Sequence, residues 1–461
     1  MANLISALTR GTLLKRTARS AATRTLQSTS PTTNSVVSMR RNVLWALVGN
    51  SVYLVCQYLL LTTVAKLSNP TALGQFALAT ALVLPLIALS QMQLRQVQTT
   101  DVAGEYEFFE CLVFRAIATA ICLILIAGLA WSLDVPPGSR LVILLVGVIK
   151  SFESMIDVVY GRLQREERLR AVALSTIVRS AISLVVFAAT LEATGSLIWA
   201  VASMAVVAGL SLAAFDLPAA HRLSDRIGAR QPLRWHKLGR LIIVTAPLGL
   251  TTGAQALSTN LPRYFLEHFQ GSKALALFAV AAAPLSLITL FSGAIMQATL
   301  PRAAAYFQSG RLGSFNRLAV RSTLVAAAIG LGFAGLIAVG GSALISFLFT
   351  PEYRAAGPAL LVMSLGVALG SLTMYGSIAI SASRHFYLQL LNIGVAMVVQ
   401  VPVCLVLVPR YGVLGAAWAE LIRFVCFVVV LGAAGMMVMA RRRAALAAQS
   451  IEDPIAASLA A

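Results

Sequence analysis

Acidic residues are scarce in this chain, and there are none before Asp101. Charged residues of both signs make up only 11% of the 461 positions while 58% are hydrophobic. A soluble globular protein is about a quarter charged, so a water-soluble fold is excluded. Histidine is almost missing: His221, His236, His268 and His385 are scattered, and no metal-ligand spacing results. The five cysteines (Cys56, Cys111, Cys122, Cys404, Cys426) lie in or beside apolar runs, where they act as small hydrophobes rather than as a disulfide framework. No Walker motif occurs, which argues against ATP hydrolysis by this chain. GLGFAG, Gly330 to Gly335, fits a dinucleotide pattern but sits inside an apolar run with no strand before it. Close helix packing is the expectation there, as for Gly366 and Gly370, and no cofactor is expected.

What the chain does contain is apolar length. Twelve runs reach the ~20 mainly apolar residues that a bilayer-spanning helix needs. They include 140–160, 241–262, 273–298, 386–408 and 412–438. The expected fold is an all-α polytopic membrane protein with twelve transmembrane helices. Its expected parts are a basic tail (1–41), a first six-helix lobe (42–215), a polar linker (216–240), a second lobe (241–440) and a C-terminal tail (441–461). ALGQFALATAL (72–82) aligns without gaps with ALALFAVAAAP (274–284), and TGSLIWA at Thr194 echoes YGVLGAAWA at Tyr411. These pairs fall at corresponding places in the two sets of six, which suggests a duplicated unit. An even number of spans per unit puts the pseudo-two-fold axis along the membrane normal.

The net charge of +19 follows topology rather than a nucleic-acid patch, and no nucleic-acid partner is expected. Most Lys and Arg fall in alternate segments, at Arg162 to Arg170, Arg222 to Arg240 and Arg441 to Arg443. The intervening loops hold few, among them Lys66, Arg140, Lys273, Arg354 and Arg410. By the positive-inside rule both termini are cytosolic. The acid-free, Ser- and Arg-rich first 41 residues share the composition of an organellar transit peptide, but a cytosolic tail is preferred, with ANLISALTRGTLLKR lying on anionic lipid.

Ionisable groups at membrane depth are the candidates for function. In Ile149 to Arg170, Lys150, Glu153 and Asp157 follow at helical spacing, which places them along one face. A charge at that depth costs ~2.5 to 3.5 kcal/mol on insertion scales and usually faces a protein interior or a wet cavity. Arg115, Lys150, Arg179 and Arg423 are the cationic cavity candidates. Asn50, Gln57, Gln255 and Asn260 are candidate polar lining. Glu153, Asp157 and Glu420 are open to two readings: charge balance, with Lys150–Glu153 and Glu420–Arg423 as i,i+3 pairs and Arg115 or Arg179 offsetting Asp157, or binding of H⁺ or Na⁺ coupled to transport. A basic pocket between helices suits an anionic head group.

NPTALGQFALATAL, YGRLQREERLRA, LPRAAAYFQSGR, LFTPEYRAAGPALLVMSLG and PRYGVLGAAWAELI, in this order across residues 40–440, resemble the polysaccharide flippases of the multidrug, oligosaccharidyl-lipid and polysaccharide exporter superfamily. The resemblance implies two six-helix lobes around a central cavity and alternating access, with no catalytic step. It also implies a bacterial inner-membrane location and an anionic lipid-linked glycan as substrate, alongside polysaccharide polymerase and chain-length machinery. Cationic cavity residues would engage the lipid phosphates. A multidrug or cation antiporter of the same fold is the first alternative, and a membrane glycan polymerase or ligase the second. The short loops leave no room for the outer catalytic segment the second would need.

Overall fold

The computed structural model describes residues 33–100, 106–219, 235–385 and 387–459, and these are helical almost throughout. Helix α1 spans Thr33–Leu67 and α2 Pro70–Gln91, followed by a short α3, Leu94–Thr100. Next come α4 (Phe108–Ser132), α5 (Pro137–Arg165), α6 (Leu169–Thr194) and α7 (Leu197–Ser211). A π-helical turn, Leu212–Asp216, continues α7. The second part holds α8 (Trp235–Ala282), α9 (Leu285–Gln308) and α10 (Leu312–Leu348). It ends with α11 (Gly357–Gly370), α12 (Met374–Ser383) and α13 (Tyr387–Leu459). Helix starts are encoded locally. The Asn69 side chain accepts the Ala72 N–H at 2.8 Å and caps α2, with Pro70 at the first helical position. Glu107 and Glu110 form a reciprocal capping box at the start of α4.

Among the described residues, nine helical stretches are long and apolar enough to cross a bilayer, against the twelve runs expected. Two of the nine, Lys237–Ala282 and Tyr387–Leu446, are 46 and 60 residues long and take in runs that the sequence separates. Each is broken internally, at Gly271 (φ 75°, ψ 179°) and at Gly412 (φ 54°, ψ −126°). Side chains other than glycine strongly disfavour both conformations. Helix α5 is not among the nine because Lys150, Glu153 and Asp157 dilute its apolar content. Helix α9, with Gln297, Pro301 and Arg302, is also absent from them.

The expected boundaries move as well. Helix α1 begins at Thr33, inside the segment expected to be a tail, and α13 continues through 441–459. Residues 1–32 of the tail and 220–234 of the linker lie outside the described residues.

Helices α1 to α7 pack on one another: α1 on α6, α2 and α4 on α5, and α7 on α5 and α6. In the second part α9 packs on α10, α10 on α11, and α11 and α12 on α13. The two groups meet along α2 and α8, the most extensive helix pair among the described residues. The pair runs antiparallel. Gly74 faces Ser272, the Tyr264 hydroxyl donates to the Ala81 carbonyl, and Thr252 Oγ1 donates to the Ala88 carbonyl at 3.2 Å. Small residues allow this approach, since Ala77, Ala79 and Ala81 of α2 and Ala276, Ala279 and Ala281 of α8 are buried. In lipid, where tails are as apolar as leucine, helices associate through such close van der Waals contact. Gly330 of the GLGFAG stretch packs on Ala368, in line with the packing reading. Large apolar side chains such as Ile243, Val339, Phe347 and Val398 point outward, as a lipid-facing surface requires.

A methyl group at position 74 would overlap the Ser272 carbonyl oxygen, whereas one at Gly293 would meet nothing within 4 Å. Gly74→Ala should therefore destabilise the protein by about 1–3 kcal/mol, the usual range for overpacking. The check is the thermal unfolding midpoint in detergent, with Gly293→Ala as the control expected to leave it unchanged. A Gly74→Ala protein as stable as the parent would show that the seam is not closely packed.

Candidate functional site

Helix α5 carries the ionisable groups in a ladder. Val146, Lys150, Glu153, Asp157 and Gln164 recur at steps of three, four and seven residues, so they share one face. Lys150 and Asp157 lie about 10 Å apart along the axis at 1.5 Å per residue. Each rung meets a different set of partners.

The upper rung is built on Glu153. Its Oε2 accepts from Lys150 Nζ at 2.8 Å and its Oε1 from Arg179 Nη1 at 3.0 Å, so one carboxylate holds two cations from α5 and α6. All three side chains are more than four-fifths buried. Lys150 also lines a cavity of about 340 Å³ between the two helix groups. Tyr53, Gln57 and Tyr58 of α1, Phe76 and Thr80 of α2, and Arg263 and Ser286 from the second part also face this space. Arg179 and Glu153 border a much smaller space beside it, together with Tyr53 and Gln57.

The lower rung is built on Asp157. Arg95 Nη1 donates to its Oδ1 at 3.2 Å, and Arg115 Nη2 lies 3.8 Å from its Oδ2. Arg115 is fully buried, with Nη1 donating to the Ser90 carbonyl and to Ser154 Oγ, both at 3.3 Å. Arg95 also donates from Nε to Gln164 Oε1 at 3.0 Å. A second cavity, of about 270 Å³, opens here, and every residue lining it is polar: Gln91, Gln93, Arg95, Gln96, Thr99, Asp157, Gln164 and Thr252. These polar residue types gather in a chain of which 58% is hydrophobic.

Of the four cationic candidates, then, Lys150 lines the larger cavity, Arg179 stands behind it through Glu153, and Arg115 belongs to the Asp157 cluster. Arg423 is buried elsewhere. Its Nε donates to Glu420 Oε2 at 2.9 Å and its guanidinium lies 4.4 Å from the Phe424 ring centroid and 5.1 Å from that of Phe427. Among the polar candidates Gln57 lines the larger cavity, and Asn260 supports it by accepting from Arg263 Nη1 at 3.0 Å. Gln255 donates to Thr259 Oγ1 on its own helix, and Asn50 is exposed.

Two arginines of the site are not among the four cationic candidates: Arg263, which the sequence places at the outer edge of a run, and Arg95. The run expected at 241–262 stops one residue short of Arg263, but α8 continues through Pro262 as far as the Gly271 break and carries Arg263 inward. The Asn260/Arg263 spacing of three was the available signal. Arg95 lies past the end of the second run and is turned back toward α5 by consecutive left-handed residues, Met92 (φ 46°) and Gln93 (φ 49°). Nothing in the sequence announces that turn.

Removing the Glu153 carboxylate would leave two buried cations without an anion. Breaking a buried ion pair from one side costs about 3–5 kcal/mol, so Glu153→Gln should lower the thermal unfolding midpoint sharply. The triple variant Lys150→Met/Glu153→Leu/Arg179→Met, which removes all three charges, should recover most of the loss. If Glu153→Gln unfolds like the parent, the carboxylate is not what holds the two cations.

The family model for "Polysaccharide biosynthesis protein" matches residues 39–307, more than half of the chain. The chain is 25% identical over 386 residues to the capsular polysaccharide biosynthesis protein CapF of Staphylococcus aureus, covering 82% of this chain and 94% of that one. Among solved structures it resembles the lipid II flippase MurJ in an inward closed conformation, with a TM-score of 0.67 at 11% identity, over 89% of this chain and 93% of that one. It also resembles a MOP superfamily transporter from Pyrococcus furiosus, with a TM-score of 0.62 at 17% identity, over 88% of this chain and 96% of that one. The fold is thus that of MOP-superfamily membrane transporters. By the extent of the family match, the chain belongs to the polysaccharide biosynthesis protein family.

Proposed function

We propose that the protein is a flippase that moves a polyprenyl-phosphate-linked oligosaccharide from the cytosolic to the outer leaflet of a bacterial inner membrane, by alternating access and without a catalytic step. The observation that carries this reading is the 340 Å³ cavity, to which Lys150 and Arg263 bring cations from the two different helix groups. Two cations facing one wet space suit a phosphate or pyrophosphate linker, which each can contact with a charge-assisted hydrogen bond. Organic cations would instead favour a cavity of carboxylates and aromatics. The polar cavity one rung down α5, rich in glutamine, offers donors and acceptors of the kind sugar hydroxyls use.

The finer architecture belongs to the same proposal. Counting the glycine-broken helices as two spans each, with the part of α8 after Gly271 continuing through α9, and including α5, gives twelve crossings; in this proposal they form two six-helix lobes with both termini cytosolic. In support of a duplicated unit, the two echoing stretches 72–82 and 274–284 both border the cavity, through Phe76, Ala77 and Thr80 on one side and Ala279, Ala282 and Ala283 on the other. The carboxylates serve charge balance in this reading, since Glu153, Asp157 and Glu420 each hold at least one guanidinium or ammonium.

Lys150→Gln and Arg263→Gln should each reduce transport of a labelled lipid-linked glycan in proteoliposomes by about tenfold, the effect of losing roughly 1.4 kcal/mol of phosphate interaction. Arg423→Gln, matched in charge but remote from the cavity, should affect stability more than rate. If both cavity variants, present at parental levels, transport as fast as the parent, the cationic path is wrong.

A further inference from the structure

A third open space among the described residues lies away from α5. A groove of about 670 Å³ lies along the first turns of α10, lined by Gly313, Asn316, Arg317, Val320, Arg321, Leu324, Val325, Ala328 and, from α13, Arg443. Its chemistry is divided by level. Arg317 and Arg321, one turn apart, and Arg443 are exposed cations at the end of the helix. Leu324 and Val325, further along the helix, continue Val320, which lies between the two arginines, into an exposed apolar strip on the same face. Among the described residues none of the three arginines is paired with a carboxylate. Neighbouring contacts build the walls. The Tyr375 hydroxyl of α12 donates to Asn316 Oδ1 at 2.7 Å. Arg442 donates to the Gln308 carbonyl at 3.3 Å and lies over the Phe307 ring, which fixes the end of α13 beside α9 and leaves the adjacent Arg443 at the groove.

We propose that this groove is a binding site for an anionic phospholipid of the surrounding bilayer, with its phosphate among Arg317, Arg321 and Arg443 and an acyl chain along Val320, Leu324, Val325 and Ala328. The division between levels selects that occupant. A soluble anion would have no use for the apolar strip, and a neutral lipid would leave three like charges close together without a counter-charge. Basic side chains near a membrane surface attract anionic head groups, and burying an acyl chain against the strip adds a contact that orients the lipid. The inference rests on this groove alone and does not depend on what the central cavity carries.

The full chain, reconstituted in vesicles of phosphatidylcholine with phosphatidylglycerol and then extracted in detergent, is analysed by native mass spectrometry for retained lipid. The parent should retain phosphatidylglycerol in preference to phosphatidylcholine. Each arginine-to-glutamine change at 317, 321 or 443 should weaken retention by about fivefold. Leu324→Gln should weaken it with the charges intact. A charge-matched variant, Arg302→Gln/Arg311→Gln/Arg441→Gln, removes three exposed cations outside the groove and should retain phosphatidylglycerol like the parent. Unfolding midpoints in phosphatidylcholine alone verify that the variants are folded. Undiminished retention by the triple 317/321/443 variant, equal loss in the charge-matched control, or no preference of the parent for phosphatidylglycerol would each overturn the assignment.

Discussion

Burying an ammonium and a guanidinium away from water costs several kcal/mol per ion even after relaxation, and at the centre of this protein that cost is offset at one carboxylate. Glu153 accepts from Lys150 with one oxygen and from Arg179 with the other, so neither cation sits in the interior without an anion. The consequence for the cavity is a net positive wall: one negative charge serves two positive ones, and Lys150 is the member that reaches open space. Asp157 repeats the pattern seven residues on, with Arg95 and the fully buried Arg115 around it. A single helix thus positions two anion-centred clusters, each with a surplus of cations.

The pairs are also distributed in a way that matters for movement. Lys150, Glu153, Asp157, Arg95, Arg115 and Arg179 all belong to α3 to α6, and Glu420 pairs with Arg423 on α13 itself. None of these deep clusters bridges the α2–α8 seam. What joins the two groups there is close contact between small residues and hydrogen bonds from Tyr264 and Thr252 to α2 carbonyls. Contacts of that kind are individually worth ~1 kcal/mol or less, whereas separating a buried ion pair costs several times more.

Sequence reasoning reached the charge ladder because helix geometry is periodic: the steps from Lys150 to Glu153 to Asp157 fixed a shared face and the Lys150–Glu153 pair, and the Glu420–Arg423 pair followed from the same spacing. It left Arg115 and Arg179 interchangeable as partners of Asp157, because which helix faces which is a tertiary fact. The structure gives Arg115 to Asp157 and Arg179 to Glu153. Hydropathy alone set the end of a run at 262 and thereby placed Arg263 outside it, although proline is tolerated within membrane helices and α8 passes through Pro262. Helix ends set by hydropathy also missed the long ends of α1 and α13, whose polar turns carry no apolar signal. The glycine breaks were the reverse case. The sequence separated the runs around Gly271 and Gly412, and the backbone keeps them nearly continuous, turning at a single residue in each case.

An ion pair does cross between the two groups outside the deep clusters. Lys237 at the start of α8 lies 3.6 Å from Glu110 of α4. It sits near the first turn of α4, outside the α2–α8 seam, with the Glu110 carboxylate buried, so this pair does tie the two groups together there. In the proposed transport reading, the α2–α8 seam separates two requirements. Cations have to be held rigidly at membrane depth, which needs buried pairs with excellent geometry, and the two halves have to part, which needs a seam with no such pairs in it. Confining Glu153, Asp157 and Glu420 to partners within their own helix group keeps these deep ion pairs out of the α2–α8 seam. Arg263 is the residue on which the two requirements meet: it faces Lys150 across the cavity from the opposite group, held by Asn260 of its own helix rather than by a carboxylate across the seam.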